Sequence, residues 1–371
     1  MKKILCLFFG LFLIFALSFQ AEAQKIKSVD GVQVIVNTKK PKPPKGIPTK
    51  IRLEEDFILG ESDNPDESFS EVNAFAVDDK GNIYVVDFKE AVVKVFNTSG
   101  QFKLKFAQKG QGPGELNMPS GILITPQNEL MIEDTMNRRL AFFSLEGKFL
   151  RNVALADKIS LVNLVMDSKG NMVGRELVLE GSKMFWEVRK YDKNLKPLFT
   201  LDKVEFKNPL QGKINIFDFL FFAQIGPDDS IFYGKPEVFE IKVYNPQGKL
   251  IKKIQKEYDR VKITEKDKQE ILERIPDVGF NFKDRIEFPK YYPAFQFFTI
   301  DEEGRLFVRT FEKGKAEGEY FFDVFDSEGK YIARFAHKGD LRLWRNHKLY
   351  SIEESEEGYK VIKRYSVFWK K

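Results

Sequence analysis

The sequence predicts an all-β chain assembled from repeated four-stranded units, on three observations. A turn of the type Asp78-Asp79-Lys80-Gly81-Asn82, followed by the strand-like Ile83-Tyr84-Val85-Val86, returns around Asn128, Gly170, Asp229, Gly304 and, degraded, His347. A second turn, Asn97-Thr98-Ser99-Gly100, returns at Gly147, Leu195, Gly248 and Gly329. First turn to second spans 19 residues in three cases (Gly81 to Gly100, Asn128 to Gly147, Asp229 to Gly248) and 25 in two (Gly170 to Leu195, Gly304 to Gly329). Asx side chains cap such turns and Gly accepts positive φ without steric cost. Self-similarity at a fixed period marks a repeat architecture.

Each interval holds a β-hairpin, with one strand before the first turn and one after the second. Four strands per ~40–50 residues is the unit of a β-propeller. Five units are complete. The sixth has three strands (Asp340–Trp344, Lys348–Ser351 and Tyr359–Phe368) and then the chain ends. Lys50–Ile58 precedes the first blade and belongs to no complete unit, so it is expected to supply the missing strand and close the ring, which also protects sheet edges. The predicted fold is a six-bladed β-propeller over 50–371, with one helical insertion, about 255–293, between blades four and five.

Gly110-Gln111-Gly112-Pro113-Gly114-Glu115-Leu116, then Met118-Pro119-Ser120-Gly121-Ile122, with Asp134, Asn137, Arg138 and Phe143 through Phe149, resembles the NHL-repeat type of six-bladed propeller. Blade two carries the pattern well; the others keep the turns alone. The resemblance implies the fold and little about activity, since propellers host many unrelated functions.

Upstream, residues 1–23 read as a secretory signal. Lys2-Lys3 is a basic start, Ile4–Phe19 is an uncharged run of 16 residues, and Ala21-Glu22-Ala23 is a cleavage motif. The run falls short of the ~20 residues that span a bilayer. A periplasmic or secreted protein is expected, with no stable membrane span after cleavage. Cys6, the only cysteine, would leave with the signal, so no disulfide or thiol chemistry is expected in the mature chain. Residues 24–49 read as a linker, because Lys39-Lys40-Pro41-Lys42-Pro43-Pro44-Lys45 favours an extended, soluble tether. Val32–Val36 could pair as a strand there, with no partner evident. Charges of both signs are interspersed, which argues against nucleic acid.

The two repeated turns share one face and stay short. Length varies on the other, in the hairpins of blades three and five and in the links between blades, the longest being 56 residues from Gly248 to Gly304. One constant and one elaborated face on a rigid scaffold points to binding at the second. Within the longest link, Thr264 suits an N-cap, Asp267 the third helical position and Pro276 a stop, while Ile271, Leu272 and Ile275 form an apolar stripe. The helix is expected over the elaborated face. Phe288–Phe295 follows, with Tyr291 and Tyr292 as ligand candidates or as packing beneath the helix. The Phe217–Phe222 cluster reads as packing between blades.

Counting back five residues from each first turn places Asn73, Ser120, Val162, Phe221 and Gln296 on the inner strands that line the channel. Asn163 and Gln224 join them if a bulge shifts the phase. With Arg138, Tyr291 and Tyr292, the polar members of this set are the ligand-binding candidates. Such amides and hydroxyls hold water, a sugar or a hard cation, so Ca²⁺ is the one cofactor entertained and none is required. His337 and His347 are the only histidines, too few for a catalytic zinc centre. Gly-x-Ser-x-Gly and phosphate-binding loops are absent.

The leading reading is a non-enzymatic exported module whose elaborated face binds a protein, peptide or glycan. The alternatives are a Ca²⁺-dependent lactonase-type hydrolase, for which Asp218 is the nearest carboxylate, and a carbohydrate-processing propeller using mouth tyrosines and Trp186.

Overall fold

The computed structural model describes residues 24–155, 162–207, 212–275 and 282–371. The signal and its cleavage motif, Cys6 and Pro276 lie outside the described residues. Six antiparallel four-stranded units follow in chain order. Blade one comprises Val72–Val77, Ile83–Asp87, Val92–Phe96 and Phe102–Phe106. Blade two comprises Pro119–Ile124, Glu129–Asp134, Arg139–Ser144 and Phe149–Ala154. Blade three comprises Val162–Met166, Met172–Glu180, Lys183–Tyr191 and Pro197–Phe206. Blade four comprises Phe222–Ile225, Ile231–Gly234, Glu240–Tyr244 and Leu250–Lys256. Blade five comprises Phe297–Ile300, Leu306–Lys313, Glu319–Phe325 and Tyr331–Lys338. In the sixth sheet Asp340–Arg345, Lys348–Glu354 and Lys360–Lys370 are joined by Lys50–Leu59, which pairs antiparallel with the third of them.

The turns form for the reason their sequences suggest. Asp78, Asp167 and Asp301 each accept the backbone N–H four residues on, at 2.8, 2.8 and 2.7 Å. Asn97, Asp192, Asn245 and Asp326 repeat the device in the second turns. At Gly147 (φ +84°) a Cβ would come within 2.6 Å of the Phe106 ring of the preceding blade, so glycine serves both the turn and the packing. Blade six departs from the pattern: Arg345 pairs with Lys348 across Asn346 and His347, both at positive φ. This tight two-residue hairpin explains why no Asx turn is legible at His347. The six extra residues of blade three's hairpin lengthen its strands, which stay paired to Glu180–Lys183.

Burial follows the blade boundaries. Each of six apolar clusters lies at one junction between neighbouring sheets, for example Phe307, Phe322, Leu341, Trp344 and Leu349 between blades five and six. Phe307 stacks on Trp344 with centroids 4.3 Å apart. Flat rings fill the narrow space between twisted sheets, and each fully buried Phe contributes about 1.5–3 kcal/mol.

The expected linker is largely structured. Lys25–Val29 and Val32–Asn37 form a hairpin, and the second strand runs parallel to Leu250–Lys256, extending blade four to six strands. Asp30 and Gly31, both at positive φ, make the two-residue turn. Asn37 is fully buried and stitches two blades together. Its Nδ2 donates to the carbonyls of Gln255 and Gly329, each at 3.0 Å, and its Oδ1 accepts from the Tyr331 N–H at 2.8 Å. Alternation of apolar residues in Val32–Val36 was the signal; the parallel partner, more than 200 residues away in sequence, was not readable from it.

The insertion carries the helix Glu265–Arg274. Thr264 and Asp267 form a reciprocal capping box, and Asp267 also accepts from Lys313 Nζ at 2.8 Å, pinning the helix to blade five. Ile271, Leu272 and Ile275 are half-buried.

Candidate functional site at the channel mouth

Each inner strand starts at one mouth of the ring and runs toward the face of repeated turns. At that mouth, four of the six inner strands break register: between Val72 and Ala74, Pro119 and Gly121, Val162 and Val165, and Leu341 and Leu343. A bulge leaves its extra residue out of the ladder and re-aims its side chain. The residues so released are Asn73, Ser120, Asn163 with Leu164, and Arg342. Three of them are sequence-predicted candidates, which places Asn73, Ser120 and Asn163 at equivalent positions on blades one to three. Blades four and five have no such break. There Gln224 lies within the regular ladder opposite Phe232, and Gln296 donates to the Thr310 carbonyl at 2.5 Å.

What holds the bulges comes from the second strand. Four residues beyond Asn82, Glu129, Asn171, Ser230, Arg305 and Lys348 stand Val86, Glu133, Arg175, Gly234, Arg309 and Ile352. On blades two, three and five this position is charged, and each charge reaches to the next blade. Glu133 accepts the Leu164 N–H at 2.9 Å and contacts Ser120 Oγ at 3.4 Å. Gly121 is required beneath it, since a Cβ there would lie 2.7 Å from the Glu133 carboxyl. Arg175 donates to the Phe219 carbonyl at 3.2 Å and, with the Asn163 amide oxygen turned toward it, is bonded from Nε at 3.3 Å. Arg309 pairs with Asp340 at the start of blade six's inner strand, and Arg342 bonds the same carboxylate at 2.7 Å.

Burial pushes the Glu133 carboxyl up; the Leu164 and Asn163 N–H groups, Ser120 and the Arg175 charge pull it back without winning. Burial lowers Arg175 and Arg309 alike, opposed by Glu133 and Asp340 respectively. The arginines rest on rings: Arg175 lies 4.8 Å from the Phe221 centroid, and Arg309 lies 4.4 Å from Tyr320.

One residue further along the second strand runs a row of buried carboxylates, Asp87, Asp134, Glu176 and Glu353, of which Asp134 alone stands out in the sequence, as part of the repeat pattern. Asp87 accepts the Ser70 N–H at 2.7 Å; Asp134 accepts Asn117 N and Arg139 Nε, each at 2.7 Å. Glu176 takes Tyr191 Oη at 2.7 Å, and Glu353 takes Ser351 Oγ and Tyr365 Oη, each at 2.5 Å. They tie the incoming chain and the next strand of the blade to the mouth. A fixed interval of nine residues from Asp78, Thr125 and Asp167 to Asp87, Asp134 and Glu176 would have disclosed them.

The remaining candidates fall around this ring. Arg138 sits at the blade two hairpin tip with φ +51°. Tyr291 bridges Lys262, with Arg260 4.4 Å from its ring centroid. Tyr292 is taken up in packing, stacked 4.3 Å from Phe311 and edge-on to Phe217. Phe217 packs against the insertion through Tyr292 and against blade five through Phe311, while Phe221 and Phe222 of the same cluster lie at the blade junctions. Trp186 stacks on Phe206 at 5.9 Å. Asp218 lines a cleft of about 500 Å³ between blade three's long hairpin and the segment leading to blade four, with Lys183, Glu205 and Lys207; burial raises its carboxyl. Among the described residues no three His, Cys, Asp or Glu side chains gather as a metal site.

Six radial sheets around a polar mouth define the molecule as a six-bladed β-propeller. The chain belongs to the DUF5128 family of 6-bladed beta-propellers, whose profile matches residues 65–338. Among solved structures it is similar to a candidate exported protein of Bacteroides fragilis, at 14% identity and TM-score 0.56, covering 91% of this chain and 100% of that one. It is also similar to a DUF4221 family member from Bacteroides vulgatus, at 12% identity and TM-score 0.53, covering 86% and 99%. A gluconolactonase of Xanthomonas campestris aligns at 11% identity and TM-score 0.46, covering 88% and 98%. At identities this low the two Bacteroides structures speak for the fold alone. No curated protein matches the chain.

Proposed function

We propose that this protein is an exported binding propeller that holds a protein, peptide or glycan partner at the channel mouth and the elaborated face around it. One observation carries the reading: polar side chains are released by bulges at a single mouth, on the face where the links between blades vary, beside charged residues that reach across the blade boundaries. Rigid scaffolds with variable loops on one side are suited to recognition. Export rests on the basic start, apolar run and Ala21-Glu22-Ala23 motif at the N-terminus; no helix among the described residues is long and apolar enough to cross a membrane. The hydrolase alternative needs carboxylates free to converge on a cation, whereas Glu133 and Asp340 are each engaged by neighbouring groups at the mouth.

The test is a peptide and glycan array probed with the chain from Gln24 onward, beside Asn73→Trp at the mouth and Lys193→Trp on the opposite face. Loss of binding in the mouth variant alone is expected. Loss in the opposite-face variant alone would overturn the reading. Thermal unfolding in EDTA and then Ca²⁺ runs alongside: stabilisation by Ca²⁺ but not Mg²⁺, about 2.7 kcal/mol at a hundredfold excess over Kd, would favour the hydrolase.

A further inference from the structure

We infer that the wall of the mouth between blades five and six is a carboxylate-recognition site, which rests on the binding reading above and narrows it to ligands ending in a carboxylate. Two arginines from adjacent blades, Arg309 and Arg342, converge on the single carboxylate of Asp340. The cluster therefore carries a surplus positive charge, unlike the far wall, where Glu133 and Arg175 supply one charge of each sign. Arg309 is only 9% exposed, and its Nε is buried without a partner, an arrangement that costs stability when no acceptor reaches it. Arg342 stands on the bulge, about half exposed, so one fork is fixed and the other is accessible.

The surroundings suit a planar monoanion. Arg309 lies against the rings of Tyr320 and Phe297, with centroids at 4.4 and 5.6 Å, and Arg342 lies 5.8 Å from Phe297. Aromatic walls hold both guanidinium planes, and a guanidinium fork matches the two oxygens of a carboxylate. Asp340 shows that a carboxylate fits between the two; a ligand carboxylate would share the arginines or replace it. Gln296, tied through Nε2 to the Thr310 carbonyl beside Arg309, adds an amide to the same wall. A peptide C-terminus and a uronic acid present this chemistry equally.

Calorimetric titration of the mature chain separates them. The probes are an N-acetylated tripeptide with a free C-terminus, its amide, a galacturonate oligomer, its methyl ester, and sulfate. One of the two acids is expected to bind at least about tenfold tighter than its neutral counterpart, and which acid does so names the source. Arg342→Gln should remove most of that preference. Asp340→Asn should strengthen acid binding, because it frees both arginines; a purely structural ion pair predicts the reverse, with a loss of thermal stability and no gain in affinity. Equal binding of acid and neutral forms, lost in Asn73→Trp, would overturn the carboxylate site while leaving the mouth as the binding surface. Acid binding that survives Asn73→Trp and Arg342→Gln would remove both. Sulfate bound as tightly as either acid, or no binding by any probe, would also overturn the inference.

Discussion

Two ends of the same ring solve the same problem differently. On the face of repeated turns, most chain reversals are closed by their own Asx side chain: Asp78 serves Asn82, Asn97 serves Gln101, and similar pairs recur around the ring, with exposed links between turns such as Ser168 to Asp229 and His347 to Glu302. At the mouth, satisfaction is non-local: Glu133 serves Leu164 across a blade boundary, and Arg309 serves Asp340. The first arrangement tolerates loss of one turn because its capping bonds lie within the turn and its links to neighbouring turns are exposed. The second couples blades, so removing one member leaves buried charge unpaired. The mouth therefore has fixed side chains, at the expense of robustness.

The largest expected effect tests that coupling. Glu133→Ala leaves the buried Leu164 N–H without its acceptor and removes the negative charge that opposes the burial of Arg175, and should destabilise by about 3 kcal/mol in urea unfolding. Asp78→Ala on the opposite face should cost about 1–2 kcal/mol, through the lost acceptor of the Asn82 N–H and the Tyr84 hydroxyl. If the two losses are equal, the mouth is no more coupled than the turns and the contrast dissolves.

A second test lies within the turn face itself, between equivalent aspartates. Asp167 and Asp301 hold the same turn position, but their carboxyls shift in opposite directions. At Asp167 burial is outweighed by hydrogen bonds and charge, with Lys190 Nζ at 2.8 Å, and the carboxyl is lowered. At Asp301 burial wins over Arg305 and the carboxyl rises from 3.8 to about 6. A raised carboxyl means that the folded chain holds the proton more tightly. Its stabilising share is full below the unfolded value near 4 and is lost as pH rises to about 6. Asp301→Asn should flatten the stability profile over that window, where the wild type loses roughly 2–3 kcal/mol from this group. Asp167→Asn should do the opposite, removing stability present above pH 4. A parallel response of both variants would mean that Lys190 does not set them apart.

The contrast also explains what could be read in the sequence. Turns of local origin repeat in the sequence because each is specified by four or five adjacent residues; their spacing was enough to count blades and to expect a separate strand at Lys50–Ile58. The mouth was legible only by position. Counting back from the turns found Asn73 and Ser120, and reached Asn163 only by allowing for a bulge; which strands bulge was not readable, because a bulge is set by the register with the paired strand and not by residue type. Glu133, Arg175, Arg309 and Asp340 each look like one more charge among many; only the blade boundary makes them partners. The hairpin Lys25–Asn37 was hidden for the same reason: its register depends on Leu250–Lys256, far along the chain.

The smallest effect concerns the insertion, which joins the two modes. Its helix is capped locally by Thr264 and Asp267, yet Asp267 also receives Lys313 from blade five. Thr264→Ala removes the hydroxyl that accepts the Asp267 N–H at 3.2 Å and donates to its carboxylate at 2.7 Å. The expected loss is about 1 kcal/mol, confined to faster hydrogen exchange over Glu265–Arg274, with the propeller unfolding transition unmoved. Lys313→Ala should loosen the same amides to a smaller extent, since the half-exposed lysine forms a weak pair. If Thr264→Ala instead lowers the global transition, the insertion is part of the coupled ring rather than a cover docked upon it. The mouth would then have to be described as a site built by seven interlocking elements instead of six.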